Sequence, residues 1–223
     1  MIPRLLLDET DVPGGGALKL FQRGADFFIT LAGNELMTSR MSLSEKALAT
    51  LTAERLDRPA GRWLIGGLGM GFTLRAALDV LGAKAALTVV ELVPAVVAWA
   101  RGPMAAMHGC TLDDARVKIV EGDVGKAIAA GRGLYDAILL DVDNGPDGLT
   151  RKGNDTLYTL RGLTAAREAL RPGGILAIWS AGPDAVFARR MSDAGFAVEE
   201  IIVRARASGK GARHVIWLGR RTA

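Results

Sequence analysis

The sequence predicts an α/β fold in which a doubly wound, mostly parallel sheet ends in an antiparallel hairpin. From residue 62 onward, short apolar runs alternate with helical segments, as in parallel sheets that are covered by helices on both faces. The runs 135–140 and 174–179 are almost continuously apolar, which is typical of central strands. The last two predicted strands, 197–204 and 214–218, are joined by a loop too short for a crossover helix, so we expect them to pair antiparallel.

Residues 1–60 are predicted to form an N-terminal extension, made of a β-hairpin and a helix, in front of the ligand-binding α/β domain, residues 61–223. Ala17 to Arg23 and Asp26 to Ala32 are the two predicted hairpin strands. Ser42-Leu43-Ser44-Glu45 matches a capping box and predicts the start of the helix.

The remaining elements follow from apolar periodicity and from Gly and Pro punctuation. The predicted strands are 62–65, 85–90, 117–120, 135–140 and 174–179, and the predicted helices are 71–81, one opened by Pro94, 123–130, 155–170 and 184–194.

Composition narrows the class of protein. With 223 residues, of which 49% are hydrophobic, the chain can bury one sizeable core. No apolar run reaches membrane-spanning length, the N-terminal apolar segment is too short for a secretory signal, and the single Cys110 excludes an internal disulfide. We therefore expect a cytoplasmic protein. The net charge of +4 is dispersed and accompanies no RNA-binding or helix-turn-helix motif, so nucleic acid is not an expected partner.

A glycine cluster lies between the strand at 62–65 and the next helix, at Gly67, Gly69 and Gly71. Glycine permits a tight turn and a close approach to a ligand, and the helix start offers unpaired N–H groups. A nucleoside is the expected ligand. The dinucleotide fingerprint needs a third glycine where Phe72 stands, which argues against NAD, whereas the spacing present suits S-adenosylmethionine (SAM) proteins.

Acidic residues follow the predicted strands, at the edge where ligands bind in such sheets. Glu91 lies 20 residues after Gly71 and is expected to accept hydrogen bonds from both ribose hydroxyls, although a helix N-terminal acid is the alternative. Asp123 is placed to accept from the adenine amino group, to cap the next helix, or both. Their neighbours Leu92 and Val124 are assigned to the same cofactor site.

Asp141 and Asp143 follow the strand 135–140, where the transferred group is expected to lie. Either carboxylate could accept a proton from the acceptor. Because alternate residues of an extended segment point to the same side, spacing does not choose between them.

From about Arg62 to Trp179 the chain resembles the spermidine synthase (aminopropyltransferase) branch of the class I SAM-dependent methyltransferase fold. The resemblance rests on a strand followed by the glycine cluster, and on Glu91, Glu121-Gly122-Asp123, Leu140-Asp141, Gly145-Pro146, Leu157-Tyr158 and Arg171-Pro172-Gly173-Gly174 in order. It implies SAM or a relative as the cofactor. It also implies that Asp141, which matches the family's first acid after this strand, lies near the attacking amine.

The chain departs from the family at positions that face the polyamine. Asn144 stands for the family's second acid, and Met70 stands for the acid inside its glycine motif. Because cationic polyamines need compensating carboxylates, these departures favour methyl transfer to a small-molecule acceptor. Aminopropyl transfer from decarboxylated SAM is the alternative, and a non-catalytic nucleoside-binding protein is a further one.

The predicted acceptor site is less specific. Tyr158 is a candidate catalytic residue, with a packing role as the equal alternative. His108 and His214 have no ligand-spaced partners, so no metal site is expected. The sequence does not fix the acceptor or the oligomeric state, for which a homodimer is one option. The residues assigned to acceptor binding are Glu35, Ser39, Arg40, Asn144 and Asn154.

Overall fold

The computed structural model describes residues 2–13, 15–142, 155–204 and 212–222. The strands in chain order are β1 (Leu5–Asp11), β2 (Ala17–Arg23), β3 (Asp26–Leu31), β4 (Asn34–Thr38), β5 (Arg62–Gly66), β6 (Ala86–Glu91), β7 (Val117–Glu121), β8 (Tyr135–Leu140), β9 (Leu170–Ser180), β10 (Phe196–Arg204) and β11 (Arg213–Arg221). The helices are α1 (Leu43–Leu56), α2 (Phe72–Val80), α3 (Pro94–Arg101), α4 (Ala105–His108), α5 (Val124–Ala130), α6 (Asp155–Tyr158), α7 (Leu160–Ala169) and α8 (Ala185–Asp193), with a short 3₁₀ turn at Thr111–Asp113.

The main sheet has seven strands in the order β10-β11-β9-β8-β5-β6-β7. Strands β5 to β9 run parallel to one another, whereas β11 is antiparallel to both β9 and β10. Every residue of β8 is buried, as its continuous apolar run predicts. The predicted fold class is confirmed, including the antiparallel hairpin at its end.

The N-terminal segment forms a four-stranded antiparallel sheet in the order β1-β2-β3-β4. The predicted hairpin is present as β2 and β3, with Phe21 opposite Phe28. Strands β1 and β4, which the sequence pattern did not predict, extend this hairpin at its two edges. Most of β1 is exposed, so its sequence carries little of the apolar alternation that marks a strand.

Helix α1 begins after Ser42 as predicted, but the predicted capping box is wrong in its contacts. Ser42 makes no side-chain cap hydrogen bond. Ser44 is buried instead, and Glu45 borders a cavity described below. The helix packs against α2 and β9, which places its first turn close to the carboxyl edge of the main sheet.

The helix predicted over 155–170 is divided into α6 and α7. Thr159 separates them, since its backbone is extended and its Oγ1 accepts a hydrogen bond from Gly162 N at 3.1 Å. A Cβ at Gly162 would lie 2.1 Å from the carbonyl oxygen of Thr156, so only glycine permits this close turn.

One apolar core runs through both predicted units. It includes Leu20 and Ile29 of the N-terminal sheet, Leu48 of α1, and Trp63 and Leu139 of the main sheet. The division at residue 60 therefore stays a prediction, and it separates two sheets that share a core. Among the described residues, no helix is both long and apolar enough to span a membrane.

Candidate active site

A cavity of about 220 Å³ lies at the carboxyl ends of the parallel strands, covered by the N-terminal sheet. Its floor comes from the glycine turn after β5 and from the residues that follow β6, β7 and β8. Its opposite wall is apolar and comes from Val12, Leu18, Ile29, Leu31, Leu36 and Met37.

The glycine turn adopts backbone conformations that other residues rarely adopt. Gly67 has φ of +85°, and a Cβ there would lie 2.6 Å from the carbonyl oxygen of Asp141. Gly71 has φ of +71°, and a Cβ there would lie 2.5 Å from the ring of His108. Together with Gly69, these residues line the cavity and lead directly into α2. The turn therefore presents backbone, without side chains, to a ligand.

Glu91 is buried at the end of β6 and braces two backbone segments. Its Oε2 accepts from Leu68 N at 2.8 Å, and its Oε1 accepts from Val93 N at 2.9 Å. Burial raises the pKa of Glu91, and these backbone hydrogen bonds oppose the rise. Backbone N–H groups of Gly69 and Leu92 also lower this pKa, and the carboxylate borders the cavity, where it could accept from a ribose hydroxyl. The predicted roles as sugar ligand and as an acid at a helix start are therefore compatible.

Asp123, Leu92 and Val124 also line the cavity, together with Gly122. Asp123 caps α5, where its Oδ1 accepts from Gly125 N at 2.7 Å. Its other oxygen remains exposed to a ligand, since the residue is exposed. The positions predicted to hold adenosine thus all line the same cavity.

Asp141 borders the cavity immediately after β8. Its Oδ2 accepts from Thr73 Oγ1 of α2 at 2.6 Å. Burial, together with the charge of Glu45, raises the pKa of Asp141 to about 7. A carboxyl group with this pKa exchanges its proton near neutral pH, which suits it to proton transfer.

Glu45 is a second acid near Asp141 that the sequence analysis missed. Its Oε2 accepts from Ser44 Oγ at 2.7 Å, and Ser44 Oγ lies 2.9 Å from Nδ1 of His214 on β11. The His214 ring packs at 4.7 Å against Trp179, which also lines the cavity. These groups are up to 170 positions apart in the chain, so no local pattern could have joined them.

The residues predicted for the acceptor lie elsewhere or outside the described chain. Glu35 on β4 pairs with Arg4, and Arg40, which follows β4, lies 3.5 Å from Asp26 in an ion pair. Neither residue is in the described lining of the cavity. Ser39 Oγ accepts from Phe27 N at 2.9 Å, which ties β4 to β3. The remaining predicted positions, Asp143, Asn144 and Asn154, fall outside the described residues.

Tyr158 is buried and packs edge-on against Phe187, with ring centroids 5.7 Å apart. Its hydroxyl donates to the carbonyl oxygen of Val142 at 3.2 Å. Tyr158 is absent from the described cavity lining, and its hydroxyl bonds to the backbone next to Asp141.

The ionisable side chains in the described lining of the cavity are all acidic. Its described lining includes four carboxylates, Glu45, Glu91, Asp123 and Asp141, and no Lys, Arg or His side chain. Met70 also lines it, at the position where the polyamine-binding family has an acid. Among the described residues, no group of three or more His, Cys, Asp or Glu is arranged to hold a metal ion.

The sheet order and the cavity at its carboxyl edge define a class I SAM-dependent methyltransferase fold. Among solved structures, a spermidine synthase in complex with the transition-state analogue AdoDATO superposes with a TM-score of 0.79 at 19% identity, covering 97% of this chain and 73% of that one. Spermidine synthase from Thermotoga maritima gives a TM-score of 0.76 at 18% identity, covering 97% of this chain and 72% of that one.

Curated relatives agree with this likeness over the central part of the chain. A polyamine aminopropyltransferase 1 of Streptomyces coelicolor is 32% identical over 136 residues, which is 60% of this chain and 25% of that protein. A polyamine aminopropyltransferase of Sulfolobus acidocaldarius is 28% identical over 128 residues, 57% of this chain and 41% of that protein. The chain thus spans less than half the length of these relatives. No family model matches the chain. The predicted resemblance to the spermidine synthase-like branch of the fold is confirmed.

Proposed function

We propose that this chain is a transferase that moves an aminopropyl group from decarboxylated SAM to a small amine acceptor. The similar proteins named above are polyamine aminopropyltransferases and spermidine synthases, which favours the alternative of the sequence analysis over methyl transfer. The proposal for the donor and the acceptor rests on the charges of the cavity.

The observation that most supports this proposal is that the described lining of the cavity has acidic but no basic side chains. SAM bears a carboxylate on the chain next to its sulfonium, and no cation among the described lining residues would pair with it. A carboxylate without a partner in such a place is costly. Decarboxylated SAM lacks that group and carries two positive charges, which complement Glu45 and Asp141.

Asp141 is proposed to accept the proton that the acceptor must lose. A protonated amine has no free lone pair, so it first gives a proton to the carboxylate. The nitrogen then attacks the aminopropyl carbon that is bonded to the sulfonium, a C–N bond forms, and the bond between this carbon and sulfur breaks with its electron pair on sulfur. The products are a secondary ammonium and a neutral thioether.

The apolar wall from the N-terminal sheet favours an acceptor whose amine is carried on an aliphatic chain. Leu18, Ile29, Leu31 and Leu36 line this wall and offer methylene and methyl surface. An aliphatic chain would lie along them while its amine points to the carboxylates, as lysine side chains do on apolar surfaces.

Mass spectrometry of reactions with each donor and a panel of aliphatic mono-, di- and triamines tests this function. We expect an acceptor that gains the mass of one aminopropyl group with decarboxylated SAM. An acceptor that gains a methyl group from SAM would contradict the proposal. Binding of the donor without turnover of any amine would point to the non-catalytic alternative.

Two variants test the proton acceptor in the same assay. Asp141→Asn keeps the shape of the side chain but removes the base, so the rate should fall by roughly 10²–10⁴ with donor affinity nearly unchanged. Asp143→Asn is the matched comparison, and we expect it to be more active. An inactive Asp143→Asn beside a nearly normal Asp141→Asn would move the role to Asp143.

A further inference from the structure

Three side chains from two elements form a continuous polar line that ends beside Asp141. His214 on β11 contacts Ser44 at the start of α1 through Nδ1 and Oγ, 2.9 Å apart. Ser44 Oγ contacts Glu45 Oε2 at 2.7 Å. Ser44 is only 1% exposed, so water does not compete for its hydroxyl.

The donor and acceptor capacities of these groups fix the direction of both hydrogen bonds. A serine hydroxyl has one proton to donate, and the carboxylate of Glu45 can only accept while it is ionised. Ser44 therefore donates to Glu45 and accepts from His214, which requires the proton of the neutral imidazole to be on Nδ1. Burial lowers the pKa of His214, which favours that neutral form.

The line therefore stabilises the ionised form of Glu45. The Ser44 hydrogen bond lowers the pKa of Glu45 and opposes the rise that burial causes. Lys46 on the same helix acts in the same direction through its charge. The charge of Glu45 in turn raises the pKa of Asp141.

Thr73 can serve both protonation states of Asp141. Its Oγ1 lies 2.6 Å from Asp141 Oδ2 and 3.2 Å from the carbonyl oxygen of Glu45. When Asp141 is ionised, the hydroxyl donates to it. When Asp141 is protonated, Asp141 donates to the hydroxyl, which then donates to the Glu45 carbonyl. The Thr73 hydroxyl therefore has a partner in both protonation states of Asp141.

We propose that His214, Ser44 and Glu45 are positioning residues that keep a negative charge beside Asp141, so that Asp141 rather than Glu45 carries the exchangeable proton. This role in proton transfer rests on the proposed function, whereas the sharing of charge between the two acids does not. Among the charged groups, Lys46 from α1 acts on Glu45, and Glu45 acts on Asp141, while His214 from β11 is neutral and Thr73 from α2 does not titrate. Glu91 and Asp123 line the same cavity.

Carboxyl ¹³C NMR titration of the protein without any donor or acceptor tests the proposal. The resonance of Asp141 is assigned by its loss in Asp141→Asn. In the unaltered protein we expect a midpoint near pH 7. In Glu45→Gln the midpoint should fall, because the charge of Glu45 raises the pKa of Asp141. A fall of about one pH unit or more would mark the two acids as a coupled pair.

Further variants distinguish the effect of these hydrogen bonds on the midpoint of Asp141 from the effect of burial. Ser44→Ala and His214→Phe should move the midpoint in the same direction by less, and Glu45→Asp, which keeps the charge, should restore part of the shift. Glu54→Gln, which removes an exposed acid of α1, is the matched control and should leave the midpoint unchanged.

An unchanged Asp141 midpoint in folded Glu45→Gln would overturn the proposal, since burial alone would then set the titration. If Ser44→Ala fails to fold, Glu45→Gln and His214→Phe still decide. In the active protein, the acidic limb of the pH profile of kcat should move with the NMR midpoint. Because the titration needs no turnover, it remains decisive even if neither donor supports a reaction.

Discussion

At the scale of single residues, the carboxylate of Glu91 joins two backbone segments that border the cavity. One oxygen accepts from the glycine turn at Leu68 and the other from Val93, just before α3. Because this carboxylate connects both segments, its loss should affect ligand affinity and the stability of the ligand-free protein to different extents.

Replacing Glu91 with Gln separates these two effects. The amide keeps one accepting oxygen but not the charge, so we expect donor binding to weaken by about 1.5–3 kcal/mol, the range for hydrogen bonds to a charged group. Titration calorimetry measures the affinity, and a thermal melt measures the stability. Glu121→Gln, at an exposed acid that ends β7, is the control. Unchanged affinity in Glu91→Gln would remove Glu91 from the binding site.

Asp141 gives the stability of the protein a characteristic pH dependence. Its pKa is raised to about 7 from 3.8, so the folded protein binds more protons than the unfolded chain between about pH 4 and pH 7. The contribution of Asp141 to the free energy of unfolding therefore falls as pH rises through this window. Asp141→Asn removes that loss, and the variant should gain stability relative to the parent as pH rises from 5 to 8.

Urea unfolding at both pH values measures this difference. Asp193→Asn, at an exposed acid that ends α8, is the control. An equal pH dependence in Asp141→Asn and the parent protein would mean that Asp141 titrates normally.

The sequence predicted the residues whose position follows from a strand end, and missed those joined by distant contacts. Glu91, Asp123 and Asp141 each follow an apolar run, so their shared edge could be inferred. Glu45 resembled a capping residue and His214 an isolated histidine. Only the packing of α1 against the main sheet brings these two toward Asp141.

At the scale of elements, local signals predicted central strands better than edges and breaks. Strands β5, β6, β8 and β9 are mostly buried and strongly apolar, so their runs stand out. Strand β1 is mostly exposed at an edge, and β4 mixes polar with apolar residues. The break at Thr159 could not be predicted, because the apolar residues on both sides of it keep helical spacing.

Thr159 provides a direct test of the break between α6 and α7. Its Oγ1 accepts from Gly162 N, so Thr159→Ala should lower the free energy of unfolding by about 1 kcal/mol, as for other N-cap threonines. Chemical denaturation measures this. Thr164→Ala is matched, because Thr164 is also exposed but lies inside α7, where alanine is neutral or favourable. Equal effects of the two substitutions would contradict the capping role.

At the scale of the whole molecule, the N-terminal sheet and the main sheet share one core and enclose the cavity between them. The first contributes an apolar wall, and the second contributes a floor of backbone amides and carboxylates. Composition and periodicity could predict the main sheet and the β2–β3 hairpin, but the charge of the cavity depends on which side chains meet when the two sheets pack. This charge carries the proposed choice of donor.

Titration calorimetry with decarboxylated SAM and with SAM, at one pH and one salt concentration, tests that choice most directly. The two ligands differ only in the carboxylate, and the described lining offers it no cation. We predict that decarboxylated SAM binds at least about tenfold more tightly, a difference of about 1.4 kcal/mol. Tighter binding of SAM would contradict the proposed donor and would favour methyl transfer instead.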